Sequence, residues 1–372
     1  MHRILVLGAY GFFGSRICAA LAKNPRLQLV LAGRDLGKAT ALAYQLGLGA
    51  ERAKVIDAAD PRLAVYLKKL GINVVIHTAG PFQQQRYDVA QAAIQAGCHY
   101  LDLADGRAFV QGITRLDAAA RAANVSVVSG VSSLPALSSA VVDEYRGNFA
   151  KLDAIHIGLT SGALVPGLAT IRGVLGYCGQ PFRVLENGRQ TEVFGWTDTE
   201  EYEFPKPVGV RRLSRCDVPD LDLLPARYAG VKTVSFRAGF VSPMGHKTAE
   251  LLARLVRKGT LKSAVPFARL IYTAGKWVQP LFSDSGAMYI RMEGIGPDGQ
   301  PHDLTWMILA GDNHGPHIPC GPVIALTNKI AAGVALPVGA LPCMGLLTVD
   351  EIIDTLKGLR IRELAPAAQS LY

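Results

Sequence analysis

The sequence predicts an α/β protein: a doubly wound parallel sheet, a second domain of mixed α and β structure, and a helical C-terminal segment. Three observations point there. Short apolar runs rich in β-branched residues alternate with helix-like spacing through the first third of the 372 residues. A glycine-rich turn follows the first of these runs. After about Pro135 the alternation gives way to longer strand-like segments. The expected boundaries are 1–135, 136–315 and 316–372.

Six strands are expected in the first segment: ILVLG from Ile4, LQLVLAG from Leu27, AKVID from Ala53, NVVIHTAG from Asn73, HYLDL from His99 and VSVVSG from Val125. Apolar runs without polar alternation suit a sheet covered on both faces. Between them, DLGKATALAYQLG, DPRLAVYLKKLG, YDVAQAAIQAG and AFVQGITRLDAAARAANV have helical spacing, and several close at a glycine, where helices commonly end. In the second segment LDAIHIGLTSG, VKTVSFRAGFV, MYIRMEGIG and LTWMILAG read as strands, the last two joined into a hairpin by GPDGQ near Gly296. CGPVIALTNKIAAGVALP and TVDEIIDTLKGL read as two helices. No internal repeat or low-complexity tract emerges.

Apolar residues make up 49% of the chain, enough for two ordinary cores. Charges interrupt every long apolar stretch, and none approaches the roughly 18 residues that span a bilayer, so a soluble protein is expected. The first strand begins after only His2 and Arg3, which leaves no room for a secretory signal. A cytoplasmic location follows as the expectation. Cys18, Cys98, Cys178, Cys216, Cys320 and Cys343 form no close pair of the kind a zinc site or redox motif needs, so reduced thiols and no metal are expected. The formal charge of +9 is dispersed, which argues against a nucleic-acid partner and for attraction of an anionic cofactor or substrate. The stretch LLARLVRKGTLKSAVPFARLIYTAGKWVQPLF from Leu251 has a basic face beside Leu, Ile, Phe and Trp. A packed amphipathic helix is favoured there over a membrane-surface or oligomer contact.

The first turn reads GAYGFFG. A dinucleotide's pyrophosphate needs backbone N–H groups near a helix N-terminus and no side chain in its path. Gly8 suits the tight turn, Gly11 the close approach and Gly14 the packing of the next helix, with Tyr10, Phe12 and Phe13 between them. Tyr10 and Phe13 stand where G-x-G-x-x-G has its second and third glycines, so this is a G-x-x-G-x-x-G variant. The context supports it: Ile4 to Leu7 supply the strand, and Ser15 to Lys23 a helix ending at Asn24 and Pro25. The second strand ends Ala32, Gly33, Arg34, Asp35. An acidic side chain would accept from a free ribose 2′-hydroxyl, whereas Arg34 is a planar charged donor suited to a 2′-phosphate, which favours NADP(H) over NAD(H). Asp35 caps the next helix under either cofactor. Asp57 contacts adenine or caps a turn.

In such a Rossmann-type sheet, ligands lie beyond the carboxyl ends of the strands. The loops after strands four to six read HTAGPFQQQRY, DLADGRAF and SGVSSLPALSS. Ala79, Gly80 and Pro81 form a turn able to pass near the nicotinamide, and Asp102, Asp105 and Arg107 bring charge to the same rim. GAYGFFG, the AGR turn, AGPFQQQRYDVAQAAIQAGCHYLDLADGRAF and SGVSSLPALSSAVVD together resemble the saccharopine dehydrogenase-like, or saccharopine reductase-like, oxidoreductase family. The resemblance covers about the first 145 residues and only fragments of the rest, such as GLATIRGVLGY, AGDNHGPHIPCGP and LPCMGLLTVDE. It implies an NADP-binding Rossmann domain, an inserted α+β domain carrying much of the substrate site, C-terminal helices that return to the first domain, and a homodimer. It also implies nicotinamide-dependent chemistry, best known as reduction of an imine formed from an amine and an oxo compound. No pair of residues for a substrate carboxylate is carried over.

Imine reduction needs a proton source for nitrogen. The candidates are Asp102, Asp105 and His246, with His314 and His317 behind them. Asp102 and Asp105 also suit helix or turn caps, and His246 a surface or capping position. His314 and His317 lack partners at metal-ligand spacing, Cys320 reads as a small buried hydrophobe, and Tyr100 reads as core. Ser132 and Ser133 lack the G-x-S-x-G elbow and, with Arg107 and His314, are candidates to bind substrate or cofactor oxygen. Reduction of a carbon–carbon double bond on a hydrophobic substrate, or a non-catalytic NADP-binding scaffold at a membrane, stand as alternatives.

Overall fold

The computed structural model describes residues 1–83, 85–160, 167–278 and 284–366. They divide into two units, Met1–Leu137 with His317–Thr355 and Ser138–Pro316 with the residues from Leu356 onward.

The first unit runs β1 (His2–Leu7), α1 (Gly14–Leu21), β2 (Leu27–Gly33), α2 (Leu36–Gln45), β3 (Ala53–Val55), α3 (Leu63–Lys69), β4 (Val74–His77), α4 (Asp88–Ala96), β5 (His99–Asp102), α5 (Arg107–Gly112), α6 (Asp117–Ala122) and β6 (Ser126–Ser129). Among the described residues its strands pair only in parallel. The reason is visible in β1, where Ile4, Leu5, Val6 and Leu7 are all at most 1% exposed; a run buried on both faces must be covered by crossover helices. Moving such a side chain out of water stabilises the fold by about 1.5–3 kcal/mol. The chain passes from β1 outward through β2 to β3, then crosses to β4 on β1's other side. The point where the order reverses therefore lies between β1 and β4, which is where a doubly wound sheet opens a crevice.

The second unit runs α7 (Ser138–Tyr145), β7 (Lys151–Thr160), α8 (Leu168–Gly176), β8 (Pro181–Glu186), β9 (Arg189–Phe194), β10 (Glu200–Phe204), β11 (Gly209–Arg215), α9 (Asp220–Arg227), β12 (Thr233–Gly239), α10 (Pro243–Arg257), α11 (Ala268–Val278), β13 (Gly286–Ile295) and β14 (Pro301–Ala310). The chain then adds α12 (Gly321–Ala331), β15 (Gly339–Pro342) and α13 (Val349–Asp354) to the first unit, and β16 (Ile361–Leu364) to the second. The two expected C-terminal helices are present. The two strands beside them were not expected: GALP has a glycine, a proline and no β-branched residue, and IREL is only four residues long with two charges in it.

With β15 the first sheet has the order β15-β6-β5-β4-β1-β2-β3. Pro342 is tolerated because β15 is an edge strand. α12 lies on α1, where Asn24 Nδ2 donates to Asn328 Oδ1 at 2.9 Å. Lys329 on α12 pairs with Glu351 on α13 at 2.7 Å, and Glu351 also closes a capping box with Thr348.

The second unit's main sheet has the order β10-β11-β12-β7-β13-β14-β16, with β7 and β12 parallel and the other pairs antiparallel. The expected hairpin is β13–β14, in register from Gly286↔Ala310 to Ile295↔Pro301. Tyr202 on β10 stacks on Tyr289 on β13 with centroids 4.1 Å apart, although three strands intervene, so the sheet curls until β10 faces β13. Phe204, Val208, Leu213, Ala287, Tyr289 and Leu309 fill that concavity. α10 buries Ala249, Leu252, Ala253 and Val256 and exposes Leu251, so the first part of the amphipathic stretch is a packed helix; its residues 279–282 lie outside the described ones. Among the described residues no helix is long and apolar enough to cross a membrane, and no group of His, Cys, Asp or Glu could hold a metal ion.

Candidate functional site

The glycine turn sits at the reversal point of the first sheet. Gly8 leaves β1 at φ +88°, and a Cβ there would lie 2.7 Å from Thr78 Oγ1 in the loop after β4. Only glycine takes this backbone with that neighbour. Thr78 Oγ1 donates to the carbonyls of Leu7 at 3.0 Å and Gly8 at 3.1 Å, tying the two loops together. The chain then turns, with Gly11 N–H donating to Gly8 O at 2.9 Å. At Gly14 a Cβ would run into the Gly8 carbonyl, so α1 can start close against the strand end. Among the described residues the N–H groups of Phe12 and Phe13 meet no acceptor. Open donors ahead of a helix attract an anion. Arg16 folds back over the Phe12 ring, 4.4 Å from its centroid, and its Nη1 donates to the Phe12 carbonyl.

Tyr10 reaches from this turn to the end of β2. Its hydroxyl accepts the Asp35 N–H at 2.9 Å, and its ring fills the space where a side chain on Gly33 would be, with Cε1 2.5 Å from an added Cβ. Arg34, between those two residues, is exposed and has no hydrogen-bond or ion-pair partner among the described residues. Asp35 caps α2 through Lys38 N–H at 3.1 Å, which holds its carboxyl below the usual range. Asp57 is exposed, two residues beyond β3, and caps a turn through Ala59 N–H at 3.0 Å.

After β4, Gln85 Nε2 donates to the carbonyls of Ala79 at 2.7 Å and Pro81 at 2.9 Å, which fixes the Ala79–Gly80–Pro81 turn. The next two strand ends form a polar core. Asp102 closes β5 fully buried, and its Oδ1 accepts from Ala104 N–H at 2.9 Å, Ser129 Oγ at 2.9 Å and Gly130 N–H at 2.8 Å. Burial pushes its carboxyl up to about 6 against those bonds. His77, its neighbour on β4, shares a 3.0 Å bond between Nδ1 and the Tyr100 hydroxyl, and burial pushes its ring down to about 4. Asp102 therefore organises the β5 and β6 turns from inside. Asp105, three residues on, is exposed and accepts from Gln83 Nε2 at 3.0 Å. Arg107 opens α5, half-buried.

The serine candidates are packed. Ser132 gives its hydroxyl to the Pro319 carbonyl at 3.2 Å, and Ser133 is 6% exposed. His246 and His314 belong to the second unit. His246 corrects the expectation of a surface or cap position: it is fully buried, with Nε2 2.9 Å from Ser214 Oγ and 3.4 Å from Glu250, its ring edge on Trp196 and burial pushing it down to about 4. His314 accepts the Arg360 N–H at Nδ1, 2.8 Å away, and so holds the entry to β16. The sequence reading missed Thr78, Gln85 and the part played by Tyr10, because each acts on residues far away or on backbone atoms.

Residues 4–128 match the family model described as the saccharopine dehydrogenase NADP binding domain. No curated protein sequence matches the chain. Among solved structures it is similar to apo saccharopine dehydrogenase (L-Glu forming) from Saccharomyces cerevisiae, with a TM-score of 0.67 at 16% identity over 98% of this chain and 100% of that one. An amine dehydrogenase from Mycobacterium smegmatis gives a TM-score of 0.49 at 13% identity, covering 94% of this chain and 95% of that one. A probable dehydrogenase from Thermotoga maritima gives 0.49 at 10%, covering 95% and 93%. Residues 4–128 are an NADP-binding domain, and the open N–H donors of its glycine turn and the exposed Arg34 have the chemistry that phosphate groups require.

Proposed function

We propose that this chain, whose residues 4–128 belong to the saccharopine dehydrogenase NADP-binding domain family, is an NADP(H)-dependent oxidoreductase acting on a carbon–nitrogen bond. When bound, the nicotinamide supplies or takes the hydride. The chain's own residues bind, orient and move the proton. N–H groups of the GAYGFFG turn would hold the diphosphate, and Arg34 would hold the 2′-phosphate. The Ala79–Gly80–Pro81 turn, fixed by Gln85, offers rigid backbone beyond β4.

In the reducing direction the acceptor carbon gains hydride and the nitrogen gains a proton. Asp105 is the residue assigned to that proton. The observation that supports it is its placement: an exposed residue three residues past the carboxyl end of β5, whose carboxyl is steadied by Gln83 and raised above the usual carboxylate range by desolvation. Asp102 has the right chemistry but spends its Oδ1 on three donors in the interior, and so holds the loop that carries Asp105.

The test is NADPH oxidation against a panel of cyclic imines and enones, with NADPH deuterated at the transferred position. The reading predicts deuterium on the carbon attached to nitrogen in an amine product. It also predicts that Asp105→Asn lowers kcat by about 100-fold or more while NADPH affinity stays the same. Turnover of enones alone, or an Asp105→Asn variant with unchanged kcat, contradicts it.

A further inference from the structure

We propose that Tyr10 sets the preference for NADP(H) over NAD(H), acting as a positioning residue that holds Arg34 toward the 2′-phosphate. The proposal rests on the assignment of Arg34 above and deepens it. A tyrosine is a costly choice where dinucleotide-binding turns commonly carry a glycine, and here the ring has a defined task. It occupies the room left by Gly33, where an added Cβ would lie 2.5 Å from Cε1 and 2.7 Å from Cζ and the hydroxyl. The hydroxyl accepts the N–H of Asp35 at 2.9 Å. Tyr10 thus grips the residue before Arg34 and the residue after it.

Two consequences follow for the turn. The backbone from Gly33 to Asp35 is fixed on both sides of Arg34, whose side chain is exposed and without a hydrogen-bond or ion-pair partner among the described residues. The acidic residue next to Arg34 in the chain is Asp35, and its carboxylate is engaged by Lys38, N–H at 3.1 Å and Nζ at 3.5 Å. A donor whose backbone is already ordered gives up less freedom when it binds. That advantage is felt only by the nucleotide carrying the extra phosphate.

The test measures NADPH and NADH dissociation constants on the intact chain for wild type, Tyr10→Phe, Arg34→Ala and the double variant. Tyr10→Phe keeps the ring against Gly33 and removes the acceptor. We expect it to weaken NADPH roughly 3- to 10-fold, the range of one hydrogen bond, and NADH less than about 2-fold. Arg34→Ala should weaken NADPH about 10- to 100-fold, and Tyr10→Phe should then add nothing further, because its effect passes through Arg34. Unchanged melting temperature in Tyr10→Phe separates this outcome from loss of folding. Should that variant melt early, Gly33→Ala, which displaces the ring, reads the same ratio. Equal weakening of both nucleotides by Tyr10→Phe, or its full effect persisting on top of Arg34→Ala, overturns the proposal. Undiminished NADPH binding in Arg34→Ala also overturns it, while leaving NADP binding itself in place.

Discussion

Asp102 and His77 end β5 and β4 opposite one another in register, and burial pushes their ionisation in opposite directions. For Asp102 the ordinary value of 3.8 rises to about 6. Within that window the unfolded chain has lost the proton and the folded chain keeps it, so this carboxyl's contribution is full below the window and falls as pH rises through it. For His77 the value drops from 6.5 to about 4. There the unfolded chain binds the proton and the folded chain does not, so its contribution rises with pH and is full above 6.5. The two slopes offset each other in the native protein. Asp102→Asn keeps an Oδ1 acceptor for its three donors and removes one slope. Denaturant titrations should show wild-type stability relative to this variant falling by ~3 kcal/mol as pH rises from below 4 to above 6. A difference that does not move with pH would contradict the assignment. The sequence made Asp102 legible as a strand-end carboxyl at the rim. It could not show the interior bonds, because Ser129 and Gly130 arrive from the next strand, 27 and 28 residues later.

At the scale of elements, α10 places neighbouring leucines on opposite faces. Leu252 is 8% exposed and Leu251 is 54% exposed. Leu252→Ala should destabilise the second unit by about 2–4 kcal/mol, while Leu251→Ala should stay within about 0.5 kcal/mol. Chemical denaturation of the two variants checks this, and equal losses would mean that α10 packs differently. The helix itself was readable from its 3.6-residue period, and six of the seven strands of the first sheet from their apolar runs. β15 and β16 were not, since their strand geometry is imposed by the partners they join, Ser126–Ser129 and Met307–Ala310. His246 was misplaced for the same reason: SPMGHKTAELL reads locally as an exposed helix start, and the Ser214 and Trp196 that bury the ring come from other elements.

Across the whole molecule, each unit is completed by chain from beyond the other, with His317–Thr355 returning to the first and Leu356 onward to the second. Local pattern revealed the cofactor domain because its signal is short-ranged: strand, glycine turn and helix within the first 23 residues, then Arg34 at the next strand end. The second unit gave less, because a curled mixed sheet assembles side chains from strands far apart in sequence, as the Tyr202–Tyr289 stack shows. Occupied by ligand at 100 times its Kd, the native protein should gain about 2.7 kcal/mol against unfolding. The most direct check on the cofactor assignment is a calorimetric titration of the intact chain with NADPH and, separately, NADH. A saturable site, one per chain, that takes NADPH at least about 10-fold more tightly than NADH is the predicted result. Saturation by neither nucleotide, or tighter binding of NADH, would contradict it.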